Sequence, residues 1–117
     1  MKTLALLTVL LLGGTNAMAD DTQTPEQNFK KAIFAAGCFW CIEPTYDNLD
    51  GVLETIVGYT GGETENPTYQ EVGTGTTGHT EAILVIYDPA KVTYEKLLEQ
   101  FWLNVDPFDG GGQFVDR

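Results

Sequence analysis

The stretch FKKAIFAAGCFWCIEPTYDNLDGVLETIVGYTGG, residues 29–62, decides the fold. It opens on a short apolar segment, Phe29 to Ala36, closed by Gly37, and a run of that length bounded by glycine predicts a strand. Cys38 to Leu49 predicts a helix that Asp50-Gly51 ends. Pro44 lies inside it and removes one backbone hydrogen bond, so either the helix begins near Glu43 or its first turn is irregular. Val52 to Tyr59 predicts a second strand, stopped by Gly61-Gly62.

Towards the C-terminus, Asn66-Pro67 reads as a cap followed by proline at the first helical position, which starts a short helix to Val72. Gly73 to Gly78 is a loop of glycine and threonine, and Thr80 to Tyr87 predicts a third strand ended by Asp88-Pro89. Thr93 caps a helix to about Asn104, in which Tyr94, Leu97, Leu98, Phe101 and Val105 fall at helical spacing. The order β-α-β-β-α predicts an α+β fold, the ferredoxin-like split β-α-β sandwich, without its last strand. A missing strand leaves an unpaired sheet edge, so the domain, residues 31–117, is expected to be incomplete at its C-terminal end.

Towards the N-terminus, Lys2, the apolar run Leu4 to Leu12 and the small residues flanking Met18 in Ala17-Met18-Ala19 stand in the order of a secretory signal peptide, residues 1–19. The run is too short for a stable membrane anchor. Residues 20–30, polar and holding Pro25, are expected to form a flexible arm. The expected location is periplasmic or secreted. What remains after cleavage suffices for one modest core. The formal net charge of −11 argues against a nucleic-acid partner and against an anionic membrane surface.

The two cysteines, Cys38 and Cys41, are spaced C-x-x-C. A disulfide closing so small a loop constrains the unfolded chain little, which makes a structural staple a poor explanation. A structural zinc site needs four ligands; His79 offers a third, and no fourth is evident. Redox chemistry is the better reading, and no metal or bound cofactor is expected. Cys38 follows a strand and a glycine at a helix start, where backbone N–H groups favour a thiolate. Phe39 and Trp40 beside it are either core or an apolar cup for a small uncharged group.

A thioether oxide would need such a cup for its methyl, a nucleophile for its sulfur and an acid for its oxygen. Glu81, where the third strand begins, alternates onto the face of Ile83 and Val85. If that face is inward, the carboxyl is partly desolvated and holds its proton more readily; the plainer alternative is a solvated carboxylate. Tyr59 and Tyr69 are phenols that can bind an oxygen, though each is more often structural, and His79 reads as structural or supporting rather than catalytic.

Gly37-Cys38-Phe39-Trp40, Gly58-Tyr59-Thr60-Gly61-Gly62, Asn66-Pro67-Thr68-Tyr69, Gly78-His79-Thr80-Glu81-Ala82 and Tyr87-Asp88-Pro89 together resemble the A-type methionine sulfoxide reductases, over about Lys31 to Arg117. The resemblance implies thiol-dependent reduction of the S-epimer of methionine sulfoxide, free or in oxidised proteins. It implies Cys38 as nucleophile, Glu81 as acid, Tyr69 as an assisting phenol, and Phe39 and Trp40 as the methyl pocket. Asp116 matches the aspartate opening the family's last motif, whose closing tyrosine would lie past Arg117. Cys41 stands where the family often has glycine and resembles the resolving cysteine of a subgroup, three residues along and within disulfide range. A thioredoxin-like reductant is the implied partner. Two rivals share some features: a thioredoxin-like dithiol oxidoreductase, and an inactive exported fragment.

Overall fold

A computed structural model describes residues 28–113 of the chain. The expected signal peptide, most of the expected arm and Asp116 lie outside the described residues. The elements are β1 (Lys30–Phe34), α1 (Phe39–Asp47), β2 (Val52–Thr60), α2 (Tyr69–Gly73), β3 (Thr80–Tyr87) and α3 (Tyr94–Asn104). The third strand and the last helix match the sequence expectation at both ends. Lys30, expected to end the arm, instead opens β1.

The sheet runs in the order β1-β3-β2, with β3 antiparallel to both neighbours. β1 and β2 therefore run parallel, joined through α1 and split by β3, which is the expected split β-α-β arrangement. Ile33 pairs with Leu84, and Ile56 pairs with Leu84 from the other side. The outer edge of β1 meets no strand among the described residues.

Period-two alternation sends Ala32 and Phe34 of β1 and Ile83, Val85 and Tyr87 of β3 into the core. α1 closes over them with Phe39, Ile42 and Tyr46, one helical turn apart, and α3 adds Leu97. Leu97, Ile42, Ile83 and Val85 are fully buried, each worth about 1.5–3 kcal/mol of burial. Phe34 is the aromatic hub: its ring stacks 5.0 Å from Tyr46, 5.7 Å from Phe101 and 6.2 Å from Tyr94. The Tyr46 hydroxyl donates to the Leu97 carbonyl at 3.1 Å, tying α1 to α3 where water is excluded. On the opposite face of the sheet Ile33 and Ile56 stay exposed.

Of the two options that Pro44 leaves for α1, the structure takes the early start with an irregular first turn: the helix begins at Phe39, with Pro44 inside it. Its first turn is tightened by the Cys41 N–H donating to the Cys38 carbonyl at 3.1 Å. α2 is capped by Thr68 rather than Asn66. Thr68-x-x-Glu71 forms a reciprocal capping box: the Glu71 N–H donates to Thr68 Oγ1 at 3.3 Å and the Thr68 N–H donates to Glu71 Oε2 at 2.7 Å. Asn66 takes φ 48°, a left-handed turn residue two places upstream.

Candidate active site

Gly37, at φ 85°, turns the chain sharply out of β1 in a conformation that favours glycine. Cys38 follows as the extended N-cap of α1, at φ −79° and ψ 116°, half-buried. Its side chain makes no capping hydrogen bond, so the helix start needs another acceptor. Glu81 supplies it: the Phe39 N–H donates to Glu81 Oε2 at 3.0 Å. The carboxyl thus reaches from β3 to the residue next to Cys38, on the inward face shared with Ile83 and Val85, and is half-buried. Glu81 pairs across the ladder with Tyr59. It is Glu81, rather than Glu43 on α1 itself, that meets the start of the helix.

The aromatic residues gather around this point. Phe39 is buried in the core, and its ring lies 5.5 Å from Trp40, 6.0 Å from Tyr59 and 6.3 Å from Tyr69. Trp40 and Tyr69 stack at 5.8 Å with planes 20° apart and are both exposed. Phe39 is therefore part of the core, while the stacked rings of Trp40 and Tyr69 beside it stay open to solvent. The structure brings Cys38, Glu81, Phe39, Trp40 and Tyr69 into one neighbourhood.

Cys38 and Cys41 are not joined in a disulfide, and Cys41 is exposed. Among the described residues, no group of three histidine, cysteine, aspartate or glutamate side chains is placed to hold a metal ion.

His79 stands just before β3, where both ring nitrogens are bonded to the Gly61–Glu65 segment. On the other side of Gly37, a pocket of about 380 Å³ is lined by Ala36, Phe101, Trp102, Asp106, Asp109 and others. Sequence spacing gave no sign of that pocket, because it forms between the end of β1 and the turn after α3, far apart in the chain. The turn is held by Gln113, whose amide oxygen accepts from the Asp106 N–H at 2.8 Å and whose amide nitrogen donates to the Asp106 carbonyl at 2.7 Å.

Residues 30–117 match the family model described as peptide methionine sulfoxide reductase. Similar curated proteins include the peptide methionine sulfoxide reductase MsrA of Listeria monocytogenes serotype 4b, 55% identical over 92 residues, which are 79% of this chain and 52% of that protein. The protein of the same name from Bacillus licheniformis is 56% identical over 86 residues, 74% of this chain and 48% of its own length. Among solved structures, methionine sulfoxide reductase A of Corynebacterium diphtheriae superposes with a TM-score of 0.72 at 38% identity, covering 79% of this chain and 43% of that one. The chain spans about half the length of the curated relatives it matches.

Proposed function

The chain belongs to the peptide methionine sulfoxide reductase family, and on that premise we propose that it reduces the S-epimer of methionine sulfoxide, free or in oxidised proteins, through its own thiols. The observation that carries the reading is the hydrogen bond from the Phe39 N–H to Glu81 Oε2, which sets a carboxyl beside the cysteine at the start of α1.

Cys38, as thiolate, attacks the sulfoxide sulfur. The oxygen leaves only if it is protonated, and Glu81 is the proton source. A protonated carboxyl whose Oε2 accepts from Phe39 still has its second oxygen to carry the proton towards the substrate. The open stack of Trp40 and Tyr69 over Phe39 takes the substrate methyl, and the Tyr69 phenol assists at the oxygen. The oxygen leaves as water, and water attacking the Cys38 sulfur then breaks the sulfur–sulfur bond and expels the thioether, so that a thiol plus a sulfoxide give a Cys38 sulfenic acid plus methionine. The Cys41 thiol then displaces water from that sulfenic acid and forms the Cys38–Cys41 disulfide. A thioredoxin-like dithiol returns both residues to thiols by exchange. Residues 1–19 support export as a signal peptide, which makes the periplasm or the exterior the proposed place of repair.

The test is one turnover without reductant, using the full chain and a methionine S-sulfoxide peptide. The product is methionine, and peptide mapping finds a Cys38–Cys41 crosslink. In Cys41→Ser the sulfenic acid persists and is trapped by dimedone. No methionine from the parental chain defeats the proposal, and a Cys41→Ser protein that recycles fully on a dithiol protein removes Cys41 from it.

A further inference from the structure

We propose that His79 is a positioning residue, whose neutral ring clamps the Gly61–Glu65 segment and so sets where Tyr69 stands over Trp40 and Phe39. The inference rests on the sulfoxide reading above for its kinetic readout alone.

The hydrogen bonds fix the state of the ring. The Gly62 N–H lies 3.1 Å from His79 Nδ1 and can only donate, so Nδ1 carries no proton. A neutral imidazole then has its proton on Nε2, which lies 2.9 Å from the Thr64 carbonyl and donates to it. Both nitrogens are spent on backbone groups two residues apart, leaving neither for acid–base work. The close approach is built into the sequence: a Cβ on Gly62 would fall 2.5 Å from His79 Cδ2, His79 N and the Thr77 carbonyl oxygen. Thr77, itself buried, completes the lacing, with its Oγ1 accepting from the His79 N–H at 3.1 Å.

What the clamp holds is the wall of the site. From Thr64 the chain runs to the Thr68 cap of α2, whose first residue is Tyr69, stacked on Trp40. In the other direction His79 is followed by Thr80, paired with Thr60, and by Glu81, paired with Tyr59. One side chain therefore stands at the junction of the segments that carry Tyr69, Tyr59 and Glu81. α1, with Cys38, is not part of the clamp.

Positioning predicts a change in substrate affinity rather than in the chemical step. In His79→Ala the KM for a methionine sulfoxide peptide rises about tenfold, the scale of losing one or two ordinary hydrogen bonds, with kcat nearly kept. His79→Gln, whose amide offers one acceptor and one donor, restores most of that affinity. Two readouts need no activity: in the parental chain nitrogen NMR finds the His79 proton on Nε2, and the nuclear Overhauser contact between the Trp40 and Tyr69 rings disappears in His79→Ala and returns in His79→Gln. If His79→Ala does not fold, the ring tautomer and His79→Gln decide. A proton on Nδ1, an unchanged ring contact, or a fall in kcat at constant KM overturns the proposal. A parental chain that yields no methionine, yet shows the tautomer and the ring contact, fails the sulfoxide reading and keeps the clamp.

Discussion

Glu81 has two duties that a single substitution separates. Its Oε2 accepts the Phe39 N–H at the start of α1, and in the proposed reaction its proton goes to the sulfoxide oxygen. Glu81→Gln keeps a carbonyl-type acceptor for that N–H but loses a transferable proton. We predict that single-turnover reduction slows by about 10²-fold or more while substrate affinity and thermal stability stay near parental, because a positioned acid contributes on that scale. Glu43→Gln, on the same helix and without the Phe39 contact, retains the parental rate; the reverse pattern would show the acid misassigned. The side of β3 on which Glu81 lies was legible in the sequence, since a strand alternates with period two. Its meeting with Phe39 was not. The two residues are 42 apart, and spacing does not reveal which helix start a strand end will face.

The helices show where local patterns suffice and where they mislead. Thr93 accepts from the Lys96 N–H at 3.2 Å, as its place before an amphipathic run implied. Asn66-Pro67 is an equally familiar pair, yet the chain caps α2 at Thr68, because a threonine with glutamate three residues on satisfies two backbone donors instead of one. Pro44 left the start of α1 open in the sequence, and the missing backbone bond proved tolerable in a helix pinned by Phe39, Ile42 and Tyr46 in the core. The α2 box carries its own pH dependence. The Thr68 N–H, and then its hydroxyl, stabilise the Glu71 carboxylate and hold its titration below the usual range. A lowered folded value means the contribution is present above the ordinary glutamate value of about 4.3 and is lost as pH falls through the lower folded value. The protection of the Tyr69 to Val72 amides, measured against their intrinsic exchange rate at each pH, should therefore fall on acidification below that range in the parental chain. In Glu71→Gln the same amides should exchange faster already at neutral pH, with a flatter acid response; identical profiles would sink the assignment.

At the scale of the molecule, one core side chain links both large helices to the sheet. Tyr46 stacks on Phe34 and donates its hydroxyl to Leu97, and burial, with Tyr94 adding to it, pushes its phenol well above the ordinary value. A raised folded value leaves stability whole below the unfolded tyrosine value of about 10 and removes it progressively above that. Chemical denaturation should show Tyr46→Phe less stable than the parent by about 0.5–1.5 kcal/mol at neutral pH, with the gap narrowing or reversing above pH ~10. A constant gap across that range would mean the phenol does not drive alkaline loss. The split β-α-β order was readable from the alternation of short apolar runs, whereas the Phe34 hub was not, because its four rings come from three separate elements. The Glu81 cap on α1 also sets an order of events in time. A contact between residues 42 apart closes only once β3 has docked, and it carries the loop-closure cost of a non-local pairing. A chain locally opened at β3 keeps both thiols but loses the carboxyl beside them, so on the proposed mechanism such an opening removes the acid and leaves the nucleophile in place.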